Sequence, residues 1–288
     1  MEGVLLMNVM AFPETEQGAT CPVTTVPRVK LEHATKSFSG QQVLRNLSIS
    51  VRQGETLVVI GESGCGKSVT LKLMMALLHP EEGCVYWNGT ELEDFSSREL
   101  KKKRLKFGFL FQGAALFDSM SVYENIAFGL RQNTNLHERS IQDIVCERLQ
   151  DVGLEPSVCK KHPADLSGGM KKRVGLARAL ALTPEVMFYD EPTTGLDPVM
   201  SDVINELILK INAKTGMTCV VVTHDMKTVR KVADHVAMIS PLKQLPQNSS
   251  QLLFEGTTDE LFQAEDWRVR NFVEGIAGDR LIDLAHDS

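Results

Sequence analysis

A glycine-rich octapeptide after a short apolar run constrains the fold of this chain more than any other feature. Residues 61–68 have the sequence Gly-Glu-Ser-Gly-Cys-Gly-Lys-Ser, which fits the pattern G-x-x-x-x-G-K-[ST]. The apolar residues 56–60 predict a strand before this motif, and residues 69–78 predict a helix after it, ended by Pro80. A strand, this loop and a helix in that order predict an α/β fold with a phosphate-binding loop.

The residue types in this loop suit the binding of a nucleoside triphosphate. Glycines let successive backbone N–H groups turn toward phosphate oxygens, and the start of the following helix adds a favourable dipole. Lys67 supplies a positive charge, and the Ser68 hydroxyl is a suitable ligand for Mg²⁺. The candidate ATP-binding residues in this segment are Gly61, Glu62, Ser63, Gly64, Cys65, Gly66, Lys67, Ser68 and Val69.

Two carboxylates follow a second apolar run. Residues 186–189 predict a buried strand, and Asp190 and Glu191 come directly after it, at the strand end where open α/β sheets bind ligands. We expect Asp190 to hold Mg²⁺ and Glu191 to polarise the water that attacks the γ-phosphate. Without the phosphate loop, the same pair would equally fit a helix cap.

A third motif, Leu166-Ser167-Gly168-Gly169-Met170, opens a periodic helix predicted over residues 169–182. Two adjacent glycines at a helix start expose backbone N–H groups to an anion. Alone, the motif predicts no more than a capped helix. The segment from Ser167 to Asp190 has room for one helix, one turn and one strand.

Taken in order with a later His224, these motifs resemble the nucleotide-binding subunit of ABC transporters across residues 29–260. The resemblance implies a P-loop NTPase of ABC type. Its parts would be a mixed or parallel core sheet, an N-terminal antiparallel β subdomain and an α-helical signature subdomain at about 113–180. ATP and Mg²⁺ are the implied cofactors. Met170 departs from the glutamine that the family more often has.

The resemblance also assigns functions to further residues. Phe38 corresponds to the aromatic residue that stacks on adenine, and Gln112 to the glutamine that senses Mg²⁺ and water, so that Ser68, Gln112 and Asp190 form the implied metal site. His224 would contact the γ-phosphate. Leu196 and Asp197 would form the loop that contacts the partner subunit, and Ser167, Gly168 and Gly169 would contact the partner's ATP. A core phenylalanine and an exposed strand end stay open as alternatives for Phe38 and Gln112.

One phosphate loop and one signature motif cannot form the family's double site, so the resemblance implies a homodimer. No run reaches the roughly 20 apolar residues of a membrane-spanning helix, so transport would need separate integral membrane permease subunits. We therefore expect a cytoplasmic, peripheral location on the inner face of the inner membrane. The 31 basic and 37 acidic residues give a formal net charge of −6, which argues against nucleic acid as a partner.

Residues 112–127 resemble the ATPases of the Mla/Mce phospholipid transport systems, as do residues 267–275. This narrower resemblance implies phospholipid transport and a lipid-binding Mce-type subunit. The alternative is an importer ATPase for a small solute such as an amino acid. A non-transport ABC protein acting on ribosomes or DNA and a catalytically inactive module are further hypotheses. The single cassette argues against the ribosome type and the lack of a long coiled-coil insertion against the DNA type. The presence of Lys67, Asp190, Glu191 and His224 argues against an inactive module.

Three segments lie outside or interrupt the predicted domain at 28–260. Residues 1–27 predict a flexible extension. Residues 261–288 predict a C-terminal extension with an apolar stripe, formed by Val269, Phe272, Val273 and Ile276, that covers either its own domain or the dimer partner. Residues 241–251 predict a surface loop that interrupts a late hairpin.

Overall fold

The computed structural model describes residues 26–247 and 249–276, so most of the predicted N-terminal extension and residues 277–288 lie outside the described residues. These residues group into two compact units. We call residues 26–100 and 218–276 the phosphate-loop unit, and residues 101–217 the helical unit. No helix in the described part of the chain is long and apolar enough to cross a membrane.

The phosphate-loop unit contains an antiparallel sheet with the strand order β2-β1-β4-β5. Its strands are β1 (Val29–Phe38), β2 (Gln41–Val51), β4 (Glu82–Trp87) and β5 (Thr90–Glu91). Ser39 and Gly40, both at positive φ, connect β1 and β2 tightly. The predicted N-terminal antiparallel element is confirmed.

A second set of strands in this unit carries the phosphate loop. Strands β3 (Thr56–Gly61), β8 (Thr218–Val222) and β9 (His235–Ile239) run parallel, with β3 in the middle. Strand β10 (Leu252–Gly256) pairs antiparallel with β9 and completes the interrupted hairpin. Every residue of β3 and β8 is buried, as expected for strands covered on both faces.

The helices of the phosphate-loop unit are α1 (Lys67–Met74), α7 (Met226–Val232), α8 (Thr258–Phe262) and α9 (Trp267–Glu274). Helix α1 ends four residues earlier than predicted, because Ala76 takes a left-handed conformation (φ 54°). In α9 only Val269 is buried. Ile276 lies beyond Gly275, which ends the helix at φ 71°, and is 47% exposed. Its own chain therefore buries the stripe fully only at Val269, and cover by a dimer partner stays a prediction.

The helical unit combines two parallel strands, β6 (Phe107–Leu110) and β7 (Val186–Asp190), with four helices. The helices are α3 (Val122–Asn133), α4 (Glu138–Asp151), α5 (Gly168–Leu180) and α6 (Pro198–Thr215). Helix α2 (Ser97–Arg104) lies where the chain passes between the units and has no buried residue. Parallel strands with helices confirm the α/β class.

The prediction that residues 241–251 form a surface loop is wrong at its C-terminal end. A short 3₁₀ turn, Leu242–Gln244, follows β9, and Gln251 just before β10 is completely buried. Composition alone misled here, because proline, serine and asparagine indicate a loop but not what its last side chain contacts.

Candidate nucleotide-binding site

The phosphate loop requires glycine at two positions. Gly61 has φ 149°, and a Cβ there would lie 2.2 Å from the Ile239 carbonyl oxygen. Gly66 has φ 100°, and a Cβ there would lie 2.5 Å from Leu44 Cδ2. The backbone therefore packs closely against its surroundings at both ends of the loop, and any side chain at either position would displace it.

Lys67 and Ser68 are the first two residues of α1, so the helix begins two residues earlier than predicted. The Lys67 ammonium donates to the carbonyl oxygens of Gly61 (2.8 Å) and Glu62 (2.9 Å), so the lysine folds back over the loop. Ser68 is exposed. The N-cap residue of α1 is Gly66, which provides no side-chain cap, and the positive end of the helix dipole favours an anion at this position.

The remaining residues of the loop differ in exposure. Ser63 and Gly64 are exposed, whereas Cys65 is buried, and burial raises the pKa of its thiol. Glu62 is half-buried and its carboxylate accepts from the Gln244 side chain. Val69 is half-buried in the first turn of α1. The open part of the loop is therefore the polar stretch that a phosphate would contact.

His224 follows the strand next to the one that leads into the loop. Val59 of β3 pairs with Val222 of β8, and the Thr223 amide donates to the Val59 carbonyl oxygen at 3.2 Å. Because parallel strands end at the same sheet edge, exposed His224 emerges at the edge that carries Gly61. Phe38 ends β1 with 41% of its surface exposed, so the alternative of a core phenylalanine is disfavoured.

The helical unit brings Gln112 and the two carboxylates to one sheet edge. Leu110 of β6 pairs with Tyr189 of β7. Exposed Gln112 therefore follows β6 at the same edge where half-buried Asp190 ends β7 and half-buried Glu191 follows it. Glu191 has a positive φ of 49°, which is strained for a residue with a side chain and typical of functional sites.

Two side chains that the sequence did not single out contact Glu191. The Thr194 hydroxyl donates to Glu191 Oε2 at 3.1 Å, and the Lys172 ammonium donates to the Glu191 carbonyl oxygen at 3.0 Å. Burial lowers the pKa of Lys172 to about 8, against the opposing influence of Glu191 and Asp190. The sequence could have indicated that Lys172 is buried, because it lies between Gly169 and Leu176 on the same face of α5.

The Ser-Gly-Gly motif opens α5 as predicted. Ser167 Oγ accepts from the Met170 amide at 3.3 Å, and Ser167 and Gly168 are exposed. A Cβ on buried Gly169 would lie 2.5 Å from Met200 Cε, so that glycine permits close approach of α5 and α6.

The predicted dimer loop lies beside this motif. A Cβ on Gly168 would contact the Leu196 side chain at 3.6 Å. Asp197 caps α6, with its Oδ1 accepting from the amides of Val199 and Met200, both at 3.0 Å. The helix cap fixes the backbone of the loop next to the signature residues.

Comparisons with known proteins agree on one family. Residues 44–194 match the model of the ABC transporter family. The Mycobacterium leprae protein named "Probable ribonucleotide transport ATP-binding protein mkl" is 40% identical over 247 residues, which cover 86% of this chain and 69% of that protein. The Haemophilus influenzae "Intermembrane phospholipid transport system ATP-binding protein MlaF" is 37% identical over 247 residues, covering 86% and 90%.

A solved structure agrees with the sequence relatives. It is described as a dimeric, post-hydrolysis state of the ATP-binding cassette MJ0796 bound to ADP and Pi. It aligns with a TM-score of 0.69 at 31% identity and covers 80% of this chain and 98% of that one. This chain therefore belongs to the ABC transporter family and is one of its ATP-hydrolysing, nucleotide-binding subunits.

Proposed function

We propose that this chain hydrolyses ATP to drive the movement of phospholipid between membranes by a separate permease. The observation that carries the proposal is its 37% identity to MlaF, named as an intermembrane phospholipid transport protein, across 90% of the Haemophilus influenzae relative and 84% of the Escherichia coli one. The residue pattern at 112–127 supports the same substrate class.

The phosphate loop gives this function its ATP site. Its glycines at positive φ let the backbone curve around the phosphates, the start of α1 adds a favourable dipole, and Lys67 supplies the charge that neutralises the triphosphate. Exposed Phe38 offers its ring face to the adenine. His224, at the same sheet edge as Gly61, donates to the γ-phosphate in this proposal.

In this proposal Glu191 is the general base that activates the attacking water during ATP hydrolysis. Thr194 and Lys172 hold its carboxylate and its backbone carbonyl, so the side chain is oriented before ATP binds. Ser68, Gln112 and Asp190 offer the hydroxyl, amide and carboxylate oxygens that Mg²⁺ prefers, and the set fits that ion chemically. When bound, Mg²⁺ neutralises charge on the phosphates.

A homodimer completes the site in this proposal. Exposed Ser167 and Gly168 contact the ATP held by the other copy, and Leu196 and Asp197 line the contact between copies. The dimeric MJ0796 structures support this arrangement. ATP then stabilises the closed dimer, and hydrolysis releases it.

An exposed aromatic patch in the helical unit suits the permease. Phe117 and Phe128 are 43% and 39% exposed, and their rings lie 5.2 Å apart. Buried Asn125 fixes the backbone beneath the patch by donating to the Phe117 and Met120 carbonyl oxygens and accepting from the Phe117 amide. A rigid apolar patch of this kind fits an amphipathic helix of a membrane partner.

Arg178 fixes the backbone just before Phe117 in the chain. Its guanidinium donates to the carbonyl oxygens of Ala114 (2.8 Å) and Ala115 (2.7 Å), and both alanines have positive φ. Arg178 belongs to α5, which begins beside Ser167, so the patch and the signature motif are joined by one helix. We assign the chain to the cytoplasmic face of the inner membrane, in a complex that includes an Mce-type lipid-binding subunit.

Affinity purification of the tagged full chain from its own membranes tests this function. Mass spectrometry of the captured proteins and lipids is expected to identify an integral membrane permease with bound phospholipid. Phe117→Asp should abolish the capture, and Leu77→Asp, at a similarly exposed apolar position in the phosphate-loop unit, should retain it. A permease that is captured with a solute-binding protein, and binds amino acids or ribonucleotides instead of lipid, would contradict the phospholipid assignment.

A further inference from the structure

We propose that the described residues of the segment between β9 and β10, 241–247 and 249–251, brace the phosphate loop, and that Gln251 is a positioning residue for the Gly66 N–H group. The inference rests on the proposed function, because it concerns the same ATP site. Gln251 touches none of the reacting groups. It acts by fixing the backbone that binds the phosphates.

Gln251 is completely buried, yet its side-chain amide is well satisfied. Its Nε2 donates to the Cys65 carbonyl oxygen at 2.8 Å and to the Val43 carbonyl oxygen at 3.2 Å. Its Oε1 accepts from the Arg45 amide at 3.1 Å. Burying a primary amide is favourable only with such partners, so the three bonds fix the phosphate loop to β2.

The direction of the Cys65 carbonyl determines the direction of the next N–H group. The peptide bonds of the described residues are all trans, so the Gly66 N–H points opposite to the Cys65 carbonyl. Gln251 holds that carbonyl toward the protein interior, and the Gly66 N–H is therefore turned away from the interior. A Cβ on Gly66 would lie 2.5 Å from Leu44 Cδ2 and 3.2 Å from the Val43 carbonyl oxygen, so β2 packs closely against the backbone here.

The other end of the segment contacts the loop as well. The Gln244 side chain donates to both carboxylate oxygens of Glu62, at 3.2 and 3.3 Å. Arg45 closes the segment from β2, with Nη2 donating to the Pro246 carbonyl oxygen at 2.7 Å and Nε to the Ser249 carbonyl oxygen at 3.2 Å. The segment therefore holds the phosphate loop at its second and fifth residues.

Steady-state ATPase assays and ADP titration calorimetry on the full chain test the inference. Gln251→Leu keeps the volume and removes all three hydrogen bonds. We expect KM for ATP and Kd for ADP to rise about tenfold, with kcat at saturating ATP within about twofold of wild type. Ser250→Ala is the matched control, because Ser250 Oγ donates to the Asn46 carbonyl oxygen and accepts from the Leu252 amide, and neither partner belongs to the phosphate loop.

Unchanged KM and Kd in folded Gln251→Leu would overturn the inference, as would a lowered kcat with unchanged KM. If Gln251→Leu does not fold, Arg45→Met loosens the segment from its exposed side and should raise KM several-fold, and an unchanged KM there overturns the inference equally. Nucleotide binding by the wild-type chain separates a failure of this inference from a failure of the proposed function. A wild-type chain that binds no ATP refutes both, whereas normal wild-type binding with unaltered variants refutes the brace alone.

Discussion

Replacement of Lys172 by methionine probes the buried ammonium beneath Glu191. Lys172 is 4% exposed, and burial lowers its pKa from 10.5 to about 8. The unfolded chain therefore binds the lysine proton more tightly than the folded chain does. The resulting penalty to stability is fully present below pH 8 and is relieved as the pH rises toward 10.5.

The size of the effect follows from this displacement. Integrating the proton linkage of this group from pH 7 to pH 10 raises the free energy of unfolding of the wild type by about 2 to 3 kcal/mol. Methionine has no charge to desolvate, so Lys172→Met should lack this gain. The measurement is the free energy of unfolding by urea at several pH values between 7 and 10, in metal-free buffer.

The difference between wild type and Lys172→Met isolates the contribution of this group from every other titration. Lys171→Met is the matched control, since it removes one lysine charge from the same helix and leaves the buried ammonium in place. Parallel pH profiles for wild type and Lys172→Met, within about 0.5 kcal/mol, would refute the reasoning.

Three substitutions test the assigned chemistry. Glu191→Gln should keep ATP binding but lower kcat by about 10²–10⁴-fold and trap a dimer visible by size-exclusion chromatography, and wild-type turnover would remove Glu191 as the base. Lys67→Ala should abolish measurable nucleotide binding in calorimetry, because the triphosphate loses its main counter-charge. Gly66→Ala should abolish ATP binding and lower the melting temperature, because its Cβ would lie 2.5 Å from Leu44, and unaltered binding would contradict the observed packing.

The sequence predicts the fold class and the location of the motifs well. Strand–loop–helix order around Gly61 and the apolar runs before Asp190 and His224 are local patterns, and the structure has strands and turns at those positions. The antiparallel N-terminal strands also follow from short apolar runs separated by turns. These features depend on neighbouring residues, which is why periodicity and turn composition suffice for them.

What the sequence could not predict depends on contacts between residues far apart in the chain. Gln251 bonds to Cys65 and Val43, and nothing in a proline- and serine-rich segment indicates a buried amide. Lys172 donates to the Glu191 carbonyl oxygen, 19 residues further along the chain. Its position in the helical pattern predicts that it is buried but does not predict which group it bonds to. The early end of α1 at Met74 depends on one left-handed residue, Ala76, whose type gives no signal for it.

The central claim is that two copies of this chain enclose ATP between the phosphate loop of one and the Ser-Gly-Gly motif of the other. A cryo-EM or crystal structure of full-length Glu191→Gln with ATP and Mg²⁺ tests it most directly. We predict a two-fold dimer with Ser167 Oγ within hydrogen-bonding distance of the γ-phosphate bound at the other copy's Lys67. A nucleotide-loaded structure in which Ser167 faces solvent in every assembly would contradict the claim.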